Sequence, residues 1–176
     1  MNEELRCYTF THFMLSPIQQ GIQSGHASME LVNKYFVDED EAYRKDCTDQ
    51  IFEWIGKHKT IVCLNGGNSK TLGELYDFVD MGEANPFPYV NFYEDEESLE
   101  NVMTSVAIIL PARIFETAEL MRRRTLPDGV SYTHDRLLNE HRFSWSHVPG
   151  GVGRTETYSE WEYELMVRLN GTGLAR

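Results

Sequence analysis

The run Leu15-Ser16-Pro17-Ile18-Gln19-Gln20-Gly21-Ile22-Gln23-Ser24-Gly25-His26-Ala27 constrains the fold more than any other part of this chain. It follows an apolar-rich segment, Tyr8 to Met14, whose pattern predicts a strand. It opens a segment with Ile18, Ile22, Met29 and Val32 at helical spacing. A strand therefore feeds a loop, and the loop feeds a helix whose first turns carry Gln19, Gln23 and His26. Sites are often built at such a place, because a helix start presents free amide donors and a partial positive charge. Gly21 and Gly25 are four apart and share one helix face. Each costs roughly 1 kcal/mol in helix propensity, so the expectation is that they, with Ala27 and Ser28 nearby, let the helix approach a sheet closely. From spacing alone, Gln23 and His26 also read as polar residues on a packed helix.

The rest of the chain alternates between helical and extended patterns. Asp38-Glu39-Asp40-Glu41 suits the first turn of a second helix, with Tyr43, Cys47, Ile51 and Ile55 recurring every four residues up to Gly56. Ile61 to Leu64 is a short apolar strand of the kind covered on both faces. Thr71-Leu72-Gly73-Glu74 has capping-box spacing, with Ser69 as the alternative cap, and a helix from Ser69 to Met81 turns Leu72, Leu75, Phe78 and Val79 inward. Asn85-Pro86-Phe87-Pro88 breaks the chain. Tyr89 to Tyr93 is then a strand, Glu94 to Glu97 a loop or short helix start, and Met103 to Leu110, apolar and β-branched, the strongest strand of all. Ile114, Phe115, Ala118 and Met121 predict a helix from Ala112 to Arg124, and Leu126-Pro127-Asp128-Gly129 a turn. Ser131 to His147 is rich in polar and aromatic residues. Pro149 to Arg154 reads as a connector; it has a glycine-rich centre and one cation but lacks the spacing of a phosphate-binding loop. In Tyr158 to Asn170, the alternation of Trp161, Tyr163, Leu165, Val167 and Leu169 points to a strand. Ser159 with Glu162, Gly171 beyond the end and good helix formers between them favour a helix. The strand-helix-strand-helix order predicts an α/β sandwich with a mixed sheet.

Several of these segments together resemble a known family. They are Gln23-Ser24-Gly25-His26-Ala27 within its strand-loop-helix, the basic lead-in Lys57-His58-Lys59 before Thr60 to Leu64, the turn Asn65 to Asn68, and a last strand beginning near Thr104 and ending at Pro111. In order and pattern, over about Leu5 to Pro111, they resemble the type 2 peptidyl-tRNA hydrolases. The resemblance implies an α/β three-layer sandwich with a small mixed four-stranded sheet in residues 1–111, and residues 112–176 as a C-terminal extension packed on the same core. It implies cleavage of an ester in a tRNA or nucleotide-derived substrate. Gln23, His26, Glu94 or Asp95, and Thr104 then stand in catalytic positions, with Gln19, Gln20 and Ser105 against the substrate. There are departures too. The family's active-site lysine falls on Gln19. Its Asp-x-Gly-x-Thr segment is replaced by Tyr93-Glu94-Asp95-Glu96-Glu97-Ser98, in which Glu94 or Asp95 holds the acid's place, and Thr104 or Ser105 takes the place of a later threonine.

Charge argues against ordinary tRNA binding. The net charge is −12, and it is confined: up to Ala112 there are seven basic and nineteen acidic residues, and after it nine of each. Nucleic-acid affinity comes largely from Lys and Arg neutralising phosphates, yet Arg6 is the only Lys or Arg between Met1 and Asn33. The one basic cluster, Arg122-Arg123-Arg124, suits a helix C-terminus, where cations offset the dipole. The acidic part favours cationic partners by long-range attraction. The competing readings are therefore an esterase, a catalytically lapsed protein that holds a nucleotide or metabolite, and an acidic interaction protein, phage-encoded in style, that inhibits a host factor through a basic surface.

Ester hydrolysis needs an activated water and donors for the developing oxyanion. Glu94 or Asp95 can activate water; Gln19, Gln23 or Thr104 can donate hydrogen bonds. Nothing replaces the lost lysine, and losing a charge-assisted donor removes a few kcal/mol of transition-state stabilisation. His26, among Ile22, Gly25 and Met29, reads as a general base or as a hydrogen-bonded core histidine. No cofactor or metal is expected: His134, His141 and His147 are seven and six apart and match no familiar zinc pattern. Cys7, Cys47 and Cys63 have no C-x-x-C spacing and read as reduced, buried thiols. Met1-Asn2-Glu3-Glu4 lacks the apolar stretch of a signal peptide, and no run approaches the ~20 apolar residues of a membrane helix, so the expected location is the cytoplasm.

Overall fold

Met103–Pro111 forms a strand buried along its whole length, as an apolar β-branched run does when both faces of its sheet are covered. The computed structural model describes residues 3–36, 45–81, 85–94, 101–122, 131–146, 153–170 and 172. Two compact units emerge, Met1–Ala112 with Thr172–Arg176, and Arg113–Gly171. In chain order the first holds β1 (Leu5–Thr11), α1 (Pro17–Phe36), α2 (Lys45–Glu53), a π-helical turn (Trp54–His58), β2 (Thr60–Asn65), α3 (Ser69–Val79), β3 (Tyr89–Tyr93) and β4 (Met103–Pro111). The strand order is β2-β1-β4-β3. β1 and β2 run parallel, and β4 is antiparallel to both β1 and β3. This is an α/β fold on a mixed four-stranded sheet. On one face α1 and α2 contribute Leu31, Tyr35 and Ile51 to a core with Cys7, Ala107 and Ile109. On the other, α3 buries Leu72, Phe78 and Val79 and sets Tyr76 against Tyr89, which shares its face with Ile108. Burial pushes the Cys7 thiol up to about 12, which keeps it inert near neutral pH. No described helix is long and apolar enough to cross a membrane.

α1 has the expected helical period, and Ala27 and Ser28 lie on its sheet side as expected. Ile18, Ile22 and Met29 are exposed. The face on the sheet is Gln20, Gln23, Ser24, Ala27, Ser28, Leu31 and Tyr35. Hydroxyl pairing explains this choice: Thr9 Oγ1 and Ser24 Oγ lie 2.5 Å apart, and Cys7 Sγ lies 3.7 Å from Ser28 Oγ. The close approach comes from Ser24, Ala27 and Ser28. Gly21 and Gly25 are exposed, and a Cβ at either would meet nothing within 4 Å. The glycines therefore do not serve close packing, contrary to the sequence expectation.

Three further local expectations change. Cys47 and Ile51 are buried as the four-residue spacing predicts, while Tyr43 and Asp38 to Glu41 lie outside the described residues. Beyond Glu53 the winding widens to a π turn, which brings Trp54 inward and leaves Ile55 exposed. Trp54 Nε1 then donates to the Thr60 carbonyl over 2.9 Å. β2 is an edge strand with Ile61 exposed, not a strand covered on both faces. α3 is capped neither by Ser69 nor by Thr71: Asn68 Oδ1 accepts from the Thr71 amide at 3.1 Å.

The second unit contains most of α4 (Ala112–Arg122), then β5 (Ser131–Arg136), β6 (Glu140–Ser146), β7 (Arg154–Ser159) and α5 (Glu160–Leu169). The polar and aromatic stretch is a hairpin, completed by β7 into an antiparallel sheet of order β5-β6-β7. Phe143, Trp145 and Tyr158 are buried on one face of it. The ambiguous last element is a helix, because Ser159 and Glu162 close a full capping box at its start. Arg113 donates to Glu162 at 2.7 Å and lies over the Tyr158 ring, and Thr117 and Tyr158 share a hydroxyl hydrogen bond of 2.7 Å.

Replacing Gly21 or Gly25 by Ala is expected to stabilise the protein by about 0.5–1 kcal/mol each, since the helix gains propensity and nothing is displaced. Urea unfolding checks this; a loss of stability at either position would show a packing role for the glycine.

Candidate functional site

Two features of the first unit converge at the upper end of the sheet. The first is the loop from β1 into α1. His12 N donates to the Thr104 carbonyl over 3.0 Å, and Phe13 N to the Gly67 carbonyl over 2.8 Å, so this loop is fixed against the start of β4 and the turn after β2. Ser16 starts the helix, and Gln19 Oε1 accepts from both its amide and its hydroxyl, at 3.0 and 2.9 Å. The second feature is a bulge. Phe92 is opposite Ser105 and Tyr93 opposite Met103, which leaves Thr104 as the extra residue of β4. Bulges re-aim side chains. Here Ser105 keeps the face of its partner Thr11, and Thr104 is also turned toward α1.

Thr104 Oγ1 donates to Gln23 Oε1 at 2.9 Å, and Gln23 Nε2 donates to Glu94 Oε2 at 2.5 Å. The order is chemically determined: a carboxylate only accepts, so the amide must turn its NH₂ to Glu94 and its oxygen to the threonine hydroxyl. Thr104 is 1% exposed and Gln23 7%, while Glu94 is partly open to solvent. The row therefore runs from the interior to the surface. Ser105 Oγ and Gln20 Oε1 are buried, and neither has a hydrogen-bond partner among the described residues. Gln20 Nε2 is held by the Leu15 carbonyl at 2.9 Å. Such orphaned polar atoms call for a bound water or ligand group.

The sequence-derived candidates thus separate. Gln23, Glu94 and Thr104 form one hydrogen-bonded row. Gln20 and Ser105 are each buried, Gln20 against the Leu15 carbonyl and beside Cys63 of β2, and Ser105 on β4 opposite Thr11. Gln19 is a helix cap at the surface. Asp95 lies outside the described residues. His26 is exposed, its ring 5.1 Å from that of Phe92, so it is not a hydrogen-bonded core histidine; it stands one turn beyond Gln23 on α1. Thr9, Thr11, Ser24 and Cys63, which have no site role in the sequence reading, extend the polar interior, and Cys63 is half-buried where a buried thiol is expected. Thr11 Oγ1 lies 3.7 Å from Cys63 Sγ and donates to the Leu64 carbonyl at 3.3 Å. The available signal was two threonines on one face of a strand beside a helix with serines at 24 and 28.

No cation replaces the lysine among these residues. His12 is the titratable ring nearest in the chain to the loop, and burial holds it below the ordinary imidazole value. Its Nδ1 accepts from the Met14 amide at 3.2 Å. Among the described residues no group of three or more His, Cys, Asp or Glu is arranged to hold a metal ion. Arg154 does not cradle a phosphate: it lies in β7 with its guanidinium on Glu156 and beside Trp145, and Pro149 to Val152 lie outside the described residues. Arg123 and Arg124 are also outside them. The chain matches no protein-family profile, and comparison with curated proteins and with solved structures gives no match.

Thr104→Val is expected to destabilise the protein by about 1–3 kcal/mol, because it leaves the Gln23 carbonyl buried without its donor. Thr104→Ser, which keeps the hydroxyl, is expected to recover much of that loss. Denaturant midpoints of the two variants decide whether the row is as tight as its distances.

Proposed function

We propose that the first unit is a peptidyl-tRNA hydrolase-like esterase in which Glu94 activates water and Gln23 holds the carboxylate in place. The observation that carries this reading is the row Thr104–Gln23–Glu94, which joins residues 81 and 71 positions apart in the chain. Glu94 Oε1 has no hydrogen-bond partner among the described residues, which leaves one carboxylate oxygen to take a proton from water. Gln23 donates to the other oxygen and is itself oriented by Thr104. Stabilisation of the oxyanion then falls to neutral donors such as the Ser105 hydroxyl. A neutral donor is worth about half a charge-assisted one, so turnover is slow and the substrate end is weakly held.

Single-turnover hydrolysis of a synthetic N-blocked aminoacyl-tRNA at high protein concentration tests the reading. Glu94→Gln is expected to slow it by about 10²–10⁴-fold, the usual worth of a positioned base, and Gln23→Ala to slow it by no more than that. No hydrolysis by the wild-type protein counts against an esterase.

A second reading has its own support. Gln19, at the lysine's place, is anchored to Ser16 through its side-chain oxygen, so the charged donor is absent and only a neutral amide stands in its place. On this reading the unit binds a nucleotide or small metabolite at the Thr104–Gln23–Glu94 row without turning it over. A ligand that binds only the folded state raises its melting temperature. A shift with a mononucleotide in the absence of hydrolysis would select this reading, and the absence of any shift would remove it.

A further inference from the structure

We propose that His134, His141 and Glu160 form a proton-operated clasp, which holds β5 to the first turn of α5 near neutral pH and releases it on acidification. His134 Nε2 and His141 Nδ1 are 2.8 Å apart, and His141 Nε2 is 2.9 Å from Glu160 Oε2. Arg136 donates to Glu160 Oε1 at 3.1 Å. Both carboxylate oxygens therefore accept, so His141 Nε2 carries a proton. A neutral His141 then has Nδ1 as an acceptor, and the proton between the rings belongs to His134 Nε2. This leaves His134 Nδ1 as the relay's open basic atom, and His134 is the solvent-exposed member.

The capacity for protons differs between the closed and open arrangements. One proton on His134 Nδ1 leaves every hydrogen bond in place. A second has only His141 Nδ1 to occupy, and there two N–H groups would face each other across the 2.8 Å gap between two cationic rings. The closed clasp thus takes one added proton, and the opened pair takes two. His141 cannot relieve this by moving: it is 2% exposed, and the Tyr163 ring stacks on it at 3.7 Å, as Phe143 stacks on His134 at 4.4 Å. Among the other charged and titratable groups, Asp135 is the one anion that offsets part of the depression of His134. Arg136 adds positive charge beside Glu160. Tyr158, opposite His141 on β6, is engaged with Thr117 and Glu156, and Glu162 with Arg113. Asp135 pairs with Arg142.

Burial, and then the neighbouring His141, hold His134 below the ordinary imidazole value of 6.5, with Asp135 pulling the other way. A base depressed in the folded state binds its proton more readily once released. The clasp's contribution to stability is therefore complete above pH 6.5 and is lost as pH falls below it.

Hydrogen exchange of the Thr133–Arg136 amides, corrected for intrinsic rates, together with NMR titration of the two rings in the full chain, tests this. Protection is expected to fall by about tenfold per pH unit for each extra proton taken up on opening, with the two rings titrating together. Glu160→Gln keeps an acceptor for His141 but removes the negative charge, so the loss of protection is expected to move to higher pH. His134→Gln is expected to make protection independent of pH between neutrality and pH 5. Independent titration of the rings, or protection in the wild type that tracks His134→Gln throughout, overturns the clasp. If His134→Gln does not fold, the direction of the Glu160→Gln shift alone decides.

Discussion

One amide governs the interior of the larger unit. Gln23 must satisfy a carboxylate on one side and a hydroxyl on the other, and the two demands fix its orientation. Through it, the first helix, the end of β3 and the start of β4 are locked in register. A buried amide with one hand unmet would cost more than the bond it makes, so the geometry is held by penalty as much as by attraction. The bulge at Thr104 is the backbone's part in this arrangement. Without the extra residue, Thr104 and Ser105 would point to opposite faces of the sheet, and the row would have no inner end.

The same constraint explains why α1 turns its small and polar face to the sheet. Thr9 and Thr11 on β1 need partners, and Ser24, the Gln20 backbone and Cys63 surround them. An isoleucine face laid on Thr9 would remove its hydroxyl contact with Ser24 and leave only the long bond to the Val62 carbonyl. The apolar residues of the helix are left at the surface instead. Acids outnumber bases heavily in the sequence of this unit, which disfavours close approach of a nucleic-acid backbone.

Elements whose sequence signal is local were legible in advance. β4 follows from an unbroken apolar run, β3 from aromatic and β-branched residues after a proline break, and α5 from Ser159 and Glu162 three apart. The candidate row was partly legible too, since Gln23, Glu94 and Thr104 stood out by pattern and by family resemblance. What failed was phase and partnership. Periodicity gives the spacing of a helical face but not its exact rotation, so Ala27 and Ser28 meet the sheet as expected while Gly21 and Gly25 turn to the surface. A π turn adds one residue per turn and shifts everything after Glu53. The two histidines of the second unit look unrelated at a spacing of seven. They meet because β5 and β6 form a hairpin in which His134 is diagonal to His141.

The sequence by itself determined an α/β chain with a mixed sheet, a helix-start candidate site short of cations, and an acidic excess confined to the part before Arg113. Those properties depend on composition and on residues near one another in the chain. Only the tertiary structure decided that Gln23 joins Thr104 to Glu94 and that Glu160 sits on the His141–His134 pair. Each of these is a choice of hydrogen-bond partner, and partners are selected by how strands register and helices rotate once the whole chain has packed, which no local pattern encodes.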